Sequence, residues 1–476
     1  VTDQRRVDTR TVVDLVVDRG TWQSWDGPAD PGSDESDYGA ARDRARDRTG
    51  VDESVVTGCG LIGGHRVAMV ISEFGFLGGS IGRAAGQRVV AAVERATRER
   101  IAVLALPSSG GTRMQEGTPA FLQMVAITGA VNAHRAAGLA YLVYLRHPTT
   151  GGVFASWGSL GHITWAQPSA LVGFLGPRVY EGLYGEPFPA EVQTSENLLA
   201  HGLVDAVFGL GRLGSQVGRL LALLAPVAVE PVSALPDDPP MSDAWSAVVA
   251  TRSPGRPGLA EVLDPDHSVV LRGDAPIWLA LSRFGGRTAV VVGQDRVRQA
   301  AGQLIGPADL RVARRGMAMA ADLRLPVVTI IDTPGAELSV DAEQGGLSGE
   351  IARCTSELVQ ITVPTVSVLL GQGAGGAALA LFPADTRIAA ADAWLSPLPP
   401  EGASVIVHHD TVHAAELADR QGIAAAALSA NGTVDRIVDV TADGGVRALR
   451  SVVAEALATR TRPSMRRRTR TPGADR

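Results

Sequence analysis

Ile101-Ala102-Val103-Leu104-Ala105-Leu106-Pro107-Ser108-Ser109-Gly110-Gly111 is an apolar run of strand length that stops at a glycine pair. The same design returns as Pro326-Val327-Val328-Thr329-Ile330-Ile331-Asp332-Thr333-Pro334-Gly335. A continuous apolar run, rather than an alternating one, is the mark of a strand covered on both faces. Working outward, Leu139 to Leu145 leads to Thr149-Thr150-Gly151-Gly152, and Pro364 to Leu370 leads to Gly371-Gln372-Gly373-Ala374-Gly375-Gly376. Gly202-Leu203-Val204-Asp205 and Gly432-Thr433-Val434-Asp435 close the two series. Gly335 follows Gly110 by 225 positions, Gly375 follows Gly151 by 224, and Gly432 follows Gly202 by 230. Three motifs in one order at a near-constant offset predict a duplicated α/β fold, two tandem domains of buried strands, glycine turns and helices.

The weak stretches set the expected boundaries. Residues 1–50 read as a charged lead-in helix and linker, 51–225 as the first domain and 226–257 as a linker broken by Pro231, Pro236, Pro239, Pro240 and Pro254. Residues 258–458 read as the second domain and 459–476 as a basic, solvated tail. Two domains of roughly 200 residues each suit a chain of 476.

Composition removes several classes of function. The net charge of −6 argues against a nucleic-acid partner. No apolar run reaches the roughly 18–20 residues that span a bilayer, and the N-terminal stretch lacks a signal-peptide core, so a cytoplasmic protein without a membrane partner is expected. Cys59 and Cys354 are distant from each other and predict reduced, buried thiols and no zinc. All 44 basic residues are arginine. A Walker-A lysine, a Schiff-base lysine and a biotinyl-lysine are thereby excluded.

What remains is backbone chemistry. Where a strand ends in glycines and a helix opens, N–H groups without intrahelical partners meet the positive end of the helix dipole. Two such turns together can form an oxyanion hole. The candidates are Gly110 and Gly111 with Gly151 and Gly152, and Gly335 and Ala336 with Gly375 and Gly376. No nucleophile elbow, HExxH or phosphate loop is present. Ser108, Ser109, His134 and His147 read as structural, whereas Glu116 and Glu337, which follow the turns, are alternative acid/base groups.

These residues resemble the carboxyltransferase of bacterial acetyl-CoA carboxylase. The first half is similar to its β subunit across Gly78-Gly79-Ser80-Ile81-Gly82, Ser109-Gly110-Gly111-Thr112-Arg113-Met114-Gln115-Glu116, Pro148-Thr149-Thr150-Gly151-Gly152-Val153 and Gly173-Phe174-Leu175-Gly176-Pro177-Arg178. The second half is similar to the α subunit across Asp332-Thr333-Pro334-Gly335-Ala336, Gly375-Gly376-Ala377 and Pro400-Glu401-Gly402-Ala403-Ser404. As a whole the chain resembles the fused, single-chain β–α type of mycobacteria and their relatives.

The resemblance implies a crotonase (ClpP-like) spiral in each half. It implies carboxybiotin delivered by a separate biotin carboxyl carrier protein and charged by a biotin carboxylase. It further implies acetyl-CoA as acceptor, malonyl-CoA as product, and a homodimer or higher homo-oligomer whose site joins opposite halves of two protomers. One hole would hold the biotin ureido oxygen and the other the thioester enolate, with the biotin itself taking the α-proton. Gly78, Gly79, Arg113, Phe174 and Gly176 would bind the acyl-CoA. Two departures stand out: no four-cysteine zinc ribbon precedes the first half, and Glu337-Leu338-Ser339 replaces a Tyr-Pro-Gly. A malonate-decarboxylase-type enzyme of the same fold, or a non-catalytic scaffold subunit of a carboxylase complex, is the alternative reading.

Overall fold

The computed structural model describes residues 6–28, 37–228 and 242–458. The tail at 459–476, and parts of the expected lead-in and linker, lie outside the described residues. The chain divides into two compact units, Val1–Ala222 and Leu223–Arg476.

Each unit is built on one mixed sheet. The first uses β1 (Gln23–Ser24), β2 (Val55–Ile62), β3 (His65–Ser72), β4 (Ala102–Leu106) and β5 (Tyr141–Leu145). β6 (Thr149–Thr150), β7 (Ile163–Ala166), β8 (Val172–Gly173) and β9 (Ala206–Val207) follow. The sheet order is β1-β2-β3-β4-β5-β7-β9, with β6 and β8 paired separately. The β1–β2 and β2–β3 pairings are antiparallel, and all later ones are parallel.

The second unit repeats the plan with β10 (Ser268–Arg272), β11 (Ile277–Phe284), β12 (Arg287–Gln294), β13 (Val327–Thr333), β14 (Thr365–Ala374), β15 (Thr386–Ala390), β16 (Trp394–Ser396) and β17 (Arg436–Val438). Its order is β10-β11-β12-β13-β14-β15-β17, with β16 added to β14. Here too two antiparallel pairings precede the parallel ones.

The duplication reaches into details that the sequence motifs did not include. Gly63-Gly64 joins β2 to β3 and Gly285-Gly286 joins β11 to β12, with φ of +57° and +81° against +53° and +83°. Two consecutive residues at positive φ match the twist of a tight hairpin, which glycine adopts without a Cβ clash. The helices Arg83–Glu99 and Pro307–Leu323 both have 17 residues, and each ends on a left-handed arginine, Arg100 or Arg324. The first buries Ala85, Val89, Ala92, Val93 and Ala96, an apolar stripe at helical spacing.

The charges of the lead-in do not keep it off the first sheet: its helix Thr9–Val16 buries Val12 and Val16, and β1 completes the edge of that sheet. The prolines of 226–257 do not exclude regular structure either, because Ala244–Thr251 is a helix capped by Asp243. Its Ala247 and Val248 pack in one cluster with Ala374 and Trp394, and Thr251 Oγ1 accepts from Trp394 Nε1 at 2.9 Å. Apolar packing outweighs the neighbouring chain breakers there. No helix among the described residues is long and apolar enough to cross a membrane.

Candidate active site

Both glycine turns of each half lie at the C-terminal ends of adjacent parallel strands, and the two halves share one register. Ile81 bridges Thr112 and Ser109 bridges Thr149 in the first. Ile305 bridges Ala336, and Thr333 pairs with Gly373, in the second. Each of these residues stands 224 positions after its counterpart. Gly111 is therefore the partner of Gly335, and Thr112 of Ala336. This corrects the pairing of Gly110 with Gly335, which the run of adjacent glycines made ambiguous.

The first turn of each half is pinned by a buried hydroxyl. Ser109 Oγ accepts from Gly111 N at 3.0 Å, and Thr333 Oγ1 accepts from Gly335 N at 3.1 Å. Both glycines have positive φ, +110° and +139°. With those N–H groups bonded internally, the chain veers away instead of entering a helix. Only the second turns open one directly, Gly151–Phe154 and Gly375–Leu379. The expectation of a helix after all four turns is met by these two alone.

Four N–H groups stand out. Among the described residues, no acceptor lies on the N–H of Thr112, Gly152, Ala336 or Gly376. Gly110 N donates to Gly78 O and Gly151 N to Phe174 O, both at 2.9 Å. In the first half the turns touch: a Cβ built on Gly111 would sit 3.3 Å from Gly151 Cα and Gly152 N. In the second half nothing lies within 4 Å of a Cβ at Gly335, and a Cβ at Gly376 would meet only the tip of Ile351.

The other expected site residues have different roles. Gly78 and Gly79 support the first turn from behind, and a Cβ on Gly79 would fall 2.0 Å from Ser108 O. Phe174 is exposed, and Gly176 begins the helix Pro177–Tyr184 in open space. Arg113 is a correction. Its side chain is fully buried and holds Glu53, Ser54 Oγ, Ser80 O, Tyr38 and Glu116. It braces the loop beneath the site, because a guanidinium removed from water must find internal partners.

Glu116 is likewise committed. Burial works against its charge, but hydrogen bonds from Arg83 N and Tyr38, with the Arg113 charge, hold its carboxyl below the usual range. Glu337 accepts from Ser339 Oγ at 2.7 Å. His134 is buried between Thr97 and Ala140 O, and His147 Nδ1 accepts from Leu171 N. Among the described residues no group of three or more His, Cys, Asp or Glu could hold a metal.

Sequence reasoning missed one assembly. Arg256, inside the expected linker, reaches Asp332 at the end of β13. Asp332 Oδ1 also accepts from Gln372 N at 3.1 Å, four residues before Gly376. Gln294 Oε1 accepts from Asp332 N, and Gln299 Nε2 donates to Asp332 O while its Oε1 accepts from Thr333 Oγ1. One carboxylate thus ties together the two turns of the second half.

Residues 13–246 match the carboxyl transferase domain family, and residues 244–472 match a family described as acetyl co-enzyme A carboxylase carboxyltransferase-like. A probable biotin-dependent acyl-coenzyme A carboxylase beta3 subunit of Mycobacterium tuberculosis is 56% identical over 91% of this chain and 89% of its own length. The chain belongs to the carboxyltransferase family of biotin-dependent acyl-CoA carboxylases.

Within that family, the acetyl-coenzyme A carboxylase carboxyl transferase subunits beta/alpha of Salinispora arenicola are 36% identical over 83% of this chain and 74% of that protein. The crystal structure of the transcarboxylase 12S hexamer, with methylmalonyl-coenzyme A and methylmalonic acid bound, shares the fold. Its TM-score is 0.78 at 20% identity, covering 97% of this chain and 91% of that one. The two tandem α/β domains expected from the duplicated strand–turn pattern are two tandem carboxyltransferase domains of mixed sheets, the crotonase-type fold that the resemblance implied.

Proposed function

We propose that this carboxyltransferase moves the carboxyl group of carboxybiotin to the α-carbon of acetyl-CoA, forming malonyl-CoA and free biotin on its carrier. The observation that carries this reading is the pair of matched turn sets, each with two N–H groups and no internal acceptor. The reaction develops negative charge on two oxygens, that of the thioester enolate and that of the biotin ureido group. Two donors at each oxygen answer that need, and one such donor is worth about 3–4 kcal/mol in a transition state. Thr112 and Gly152 serve one oxygen; Ala336 and Gly376 serve the other.

The carboxybiotin comes on a separate carrier protein, loaded by a biotin carboxylase, since this chain has no lysine to biotinylate. The working form is a homodimer or higher homo-oligomer. Acetyl-CoA as acceptor is supported by the acetyl co-enzyme A carboxylase-like match over 244–472 and by the Salinispora relative. The test is malonyl-CoA-dependent carboxylation of free biotin by the purified protein, followed as acetyl-CoA release, beside methylmalonyl-CoA and longer 2-carboxyacyl-CoAs. Preference for malonyl-CoA is expected. Malonyl-CoA breakdown that does not depend on biotin would favour a decarboxylase, and no turnover of any of these thioesters would leave the scaffold reading.

A further inference from the structure

Thr112 and Ala336 stand in register, yet only the first carries a polar side chain. The backbone of Thr112 is fixed from one side by Ile81. Ile81 N donates to Gly111 O at 2.9 Å, and Arg113 N donates to Ile81 O at 3.0 Å. Successive N–H groups of an extended segment point to opposite sides, so the N–H of Thr112 faces away from Ile81. A side chain branched at Cβ has few χ1 positions from which to present its hydroxyl.

The hydroxyl lies beside the second donor of the same hole. A Cβ built on Gly152 would sit 3.1 Å from Thr112 Oγ1, with Met124 Cγ next at 3.3 Å. Gly152 is the second residue of the helix Gly151–Phe154. A helical Cα–Cβ bond tilts toward the N-terminal end, and the first N–H groups point the same way. Covalent geometry then places Thr112 Oγ1 no more than about 5.6 Å from Gly152 N.

The other hydroxyls around these turns are committed to main-chain carbonyls. Ser108 donates to His147 O, Ser109 to Gly111 O, Thr149 to Arg146 O, Thr150 to Ser109 O and Ser156 to Gly152 O. Thr112 is half-buried, and no described residue bonds its hydroxyl.

We infer that Thr112 is a catalytic residue, its O–H the third donor to the oxygen held by the N–H groups of Thr112 and Gly152. This rests on the function proposed above and deepens it, because the two holes become unequal, three donors against two. The hydroxyl keeps its proton and moves neither the α-proton nor the carboxyl group. It answers the charge that develops on the oxygen, and a hydrogen bond to a charged acceptor is stronger than one to a neutral acceptor. The transition state therefore gains more from it than the bound substrate does.

The test is kcat and KM for biotin-dependent malonyl-CoA breakdown by the full chain, in wild type, Thr112→Val and Thr112→Ser. Valine keeps the N–H and the branched shape and removes only the hydroxyl. Its kcat is expected to fall about tenfold or more, with KM within about threefold of wild type, and its Tm to stay within about 2 °C. Thr112→Ser, which keeps the hydroxyl, is expected to recover kcat to within about threefold. If the side chain serves only to pack against Met124, valine holds wild-type turnover and serine does worse, and that order overturns the inference. Should Thr112→Val melt early, Thr112→Ser is set against Thr112→Ala: a loss of about tenfold confined to alanine supports the third donor, and equal turnover of the two overturns it. Wild-type protein that turns over no thioester removes the carboxyltransferase reading and this inference with it. Active wild type beside an equally active Thr112→Val removes this inference alone.

Discussion

Both oxygens of the Asp332 carboxylate are held by Arg256, at 2.6 and 2.7 Å, with the carboxylate fully buried. The pair fastens the segment after the helix Ala244–Thr251 to the base of the second glycine turn. Removing one partner of a buried ion pair leaves an uncompensated charge, at about 3–5 kcal/mol. Arg256→Met is therefore expected to lower urea-denaturation stability by about that amount, and to lower turnover in whatever fraction stays folded. Arg436→Met, which breaks an exposed pair with Glu455, is expected to cost about 1 kcal/mol or less. Equal effects of the two would remove Arg256 from the support of the turn.

Glycine substitutions separate the roles within the turns. Gly375 has φ of +66°, so Gly375→Ala carries about 1–3 kcal/mol of strain. Gly376 has an ordinary φ, and its new methyl would press only on the flexible end of Ile351. Gly376→Ala keeps its N–H and should fold almost normally, so a fall in its turnover reports on the added methyl obstructing the oxygen that the proposed mechanism brings to that N–H. Gly79→Ala should be the most damaging of the three by thermal melt, since backbone blocks it, whereas Gly176→Ala should stay within about 1 kcal/mol of wild type.

Stability should fall in mild acid through His134. Burial, with the nearby His162 and against a hydrogen bond to Ala140 O, pulls its pKa down to about 4 from an ordinary 6.5. The unfolded chain takes up the proton first as pH drops below 6.5. The neutral ring's contribution is complete above that pH and is lost between 6.5 and about 4. The loss is on the order of 3 kcal/mol. His134→Gln, which cannot titrate, is expected to flatten the pH dependence of denaturation midpoints in this window; an unchanged slope would assign the acid sensitivity elsewhere.

Cys354 is fully buried, and burial pushes its thiol up to about 12. With Cys59 also buried, the native protein at pH 8 is expected to react with a thiol reagent far more slowly than the urea-unfolded chain, which should yield two thiols. Rapid labelling of one thiol in native protein would contradict that burial.

The duplicated strand–turn pattern was legible because apolar runs and glycine pairs survive in the sequence at one offset. Its alignment was not, since Gly110 and Gly111 are the same residue type and only the bridges to Ile81 and Thr149 distinguish their places. Arg113 sits in a site motif and reads as a ligand contact until its five internal partners are seen, and those partners are scattered from Tyr38 to Glu116. Arg256 was hidden by its surroundings: proline-rich sequence carries no periodicity, and its ion pair spans 76 positions. The two Gly-Gly hairpins were readable and would have lengthened the repeat; a glycine pair between two β-like runs is a standard hairpin signal.

Ser109 and Thr333 bond the N–H groups of Gly111 and Gly335 from within the protein. Each turn therefore carries its own internal ligand and keeps its curvature when no substrate is present. Solvent dipoles around a carboxyl transfer in water would have to reorient as charge moves from one oxygen to another. On the mechanism proposed above, the dipoles are already aimed, and the entropy of aiming them was surrendered when the chain folded. Replacing either hydroxyl by a methyl should accordingly appear as a more negative activation entropy for transfer, even where the average coordinates of the turn hardly change.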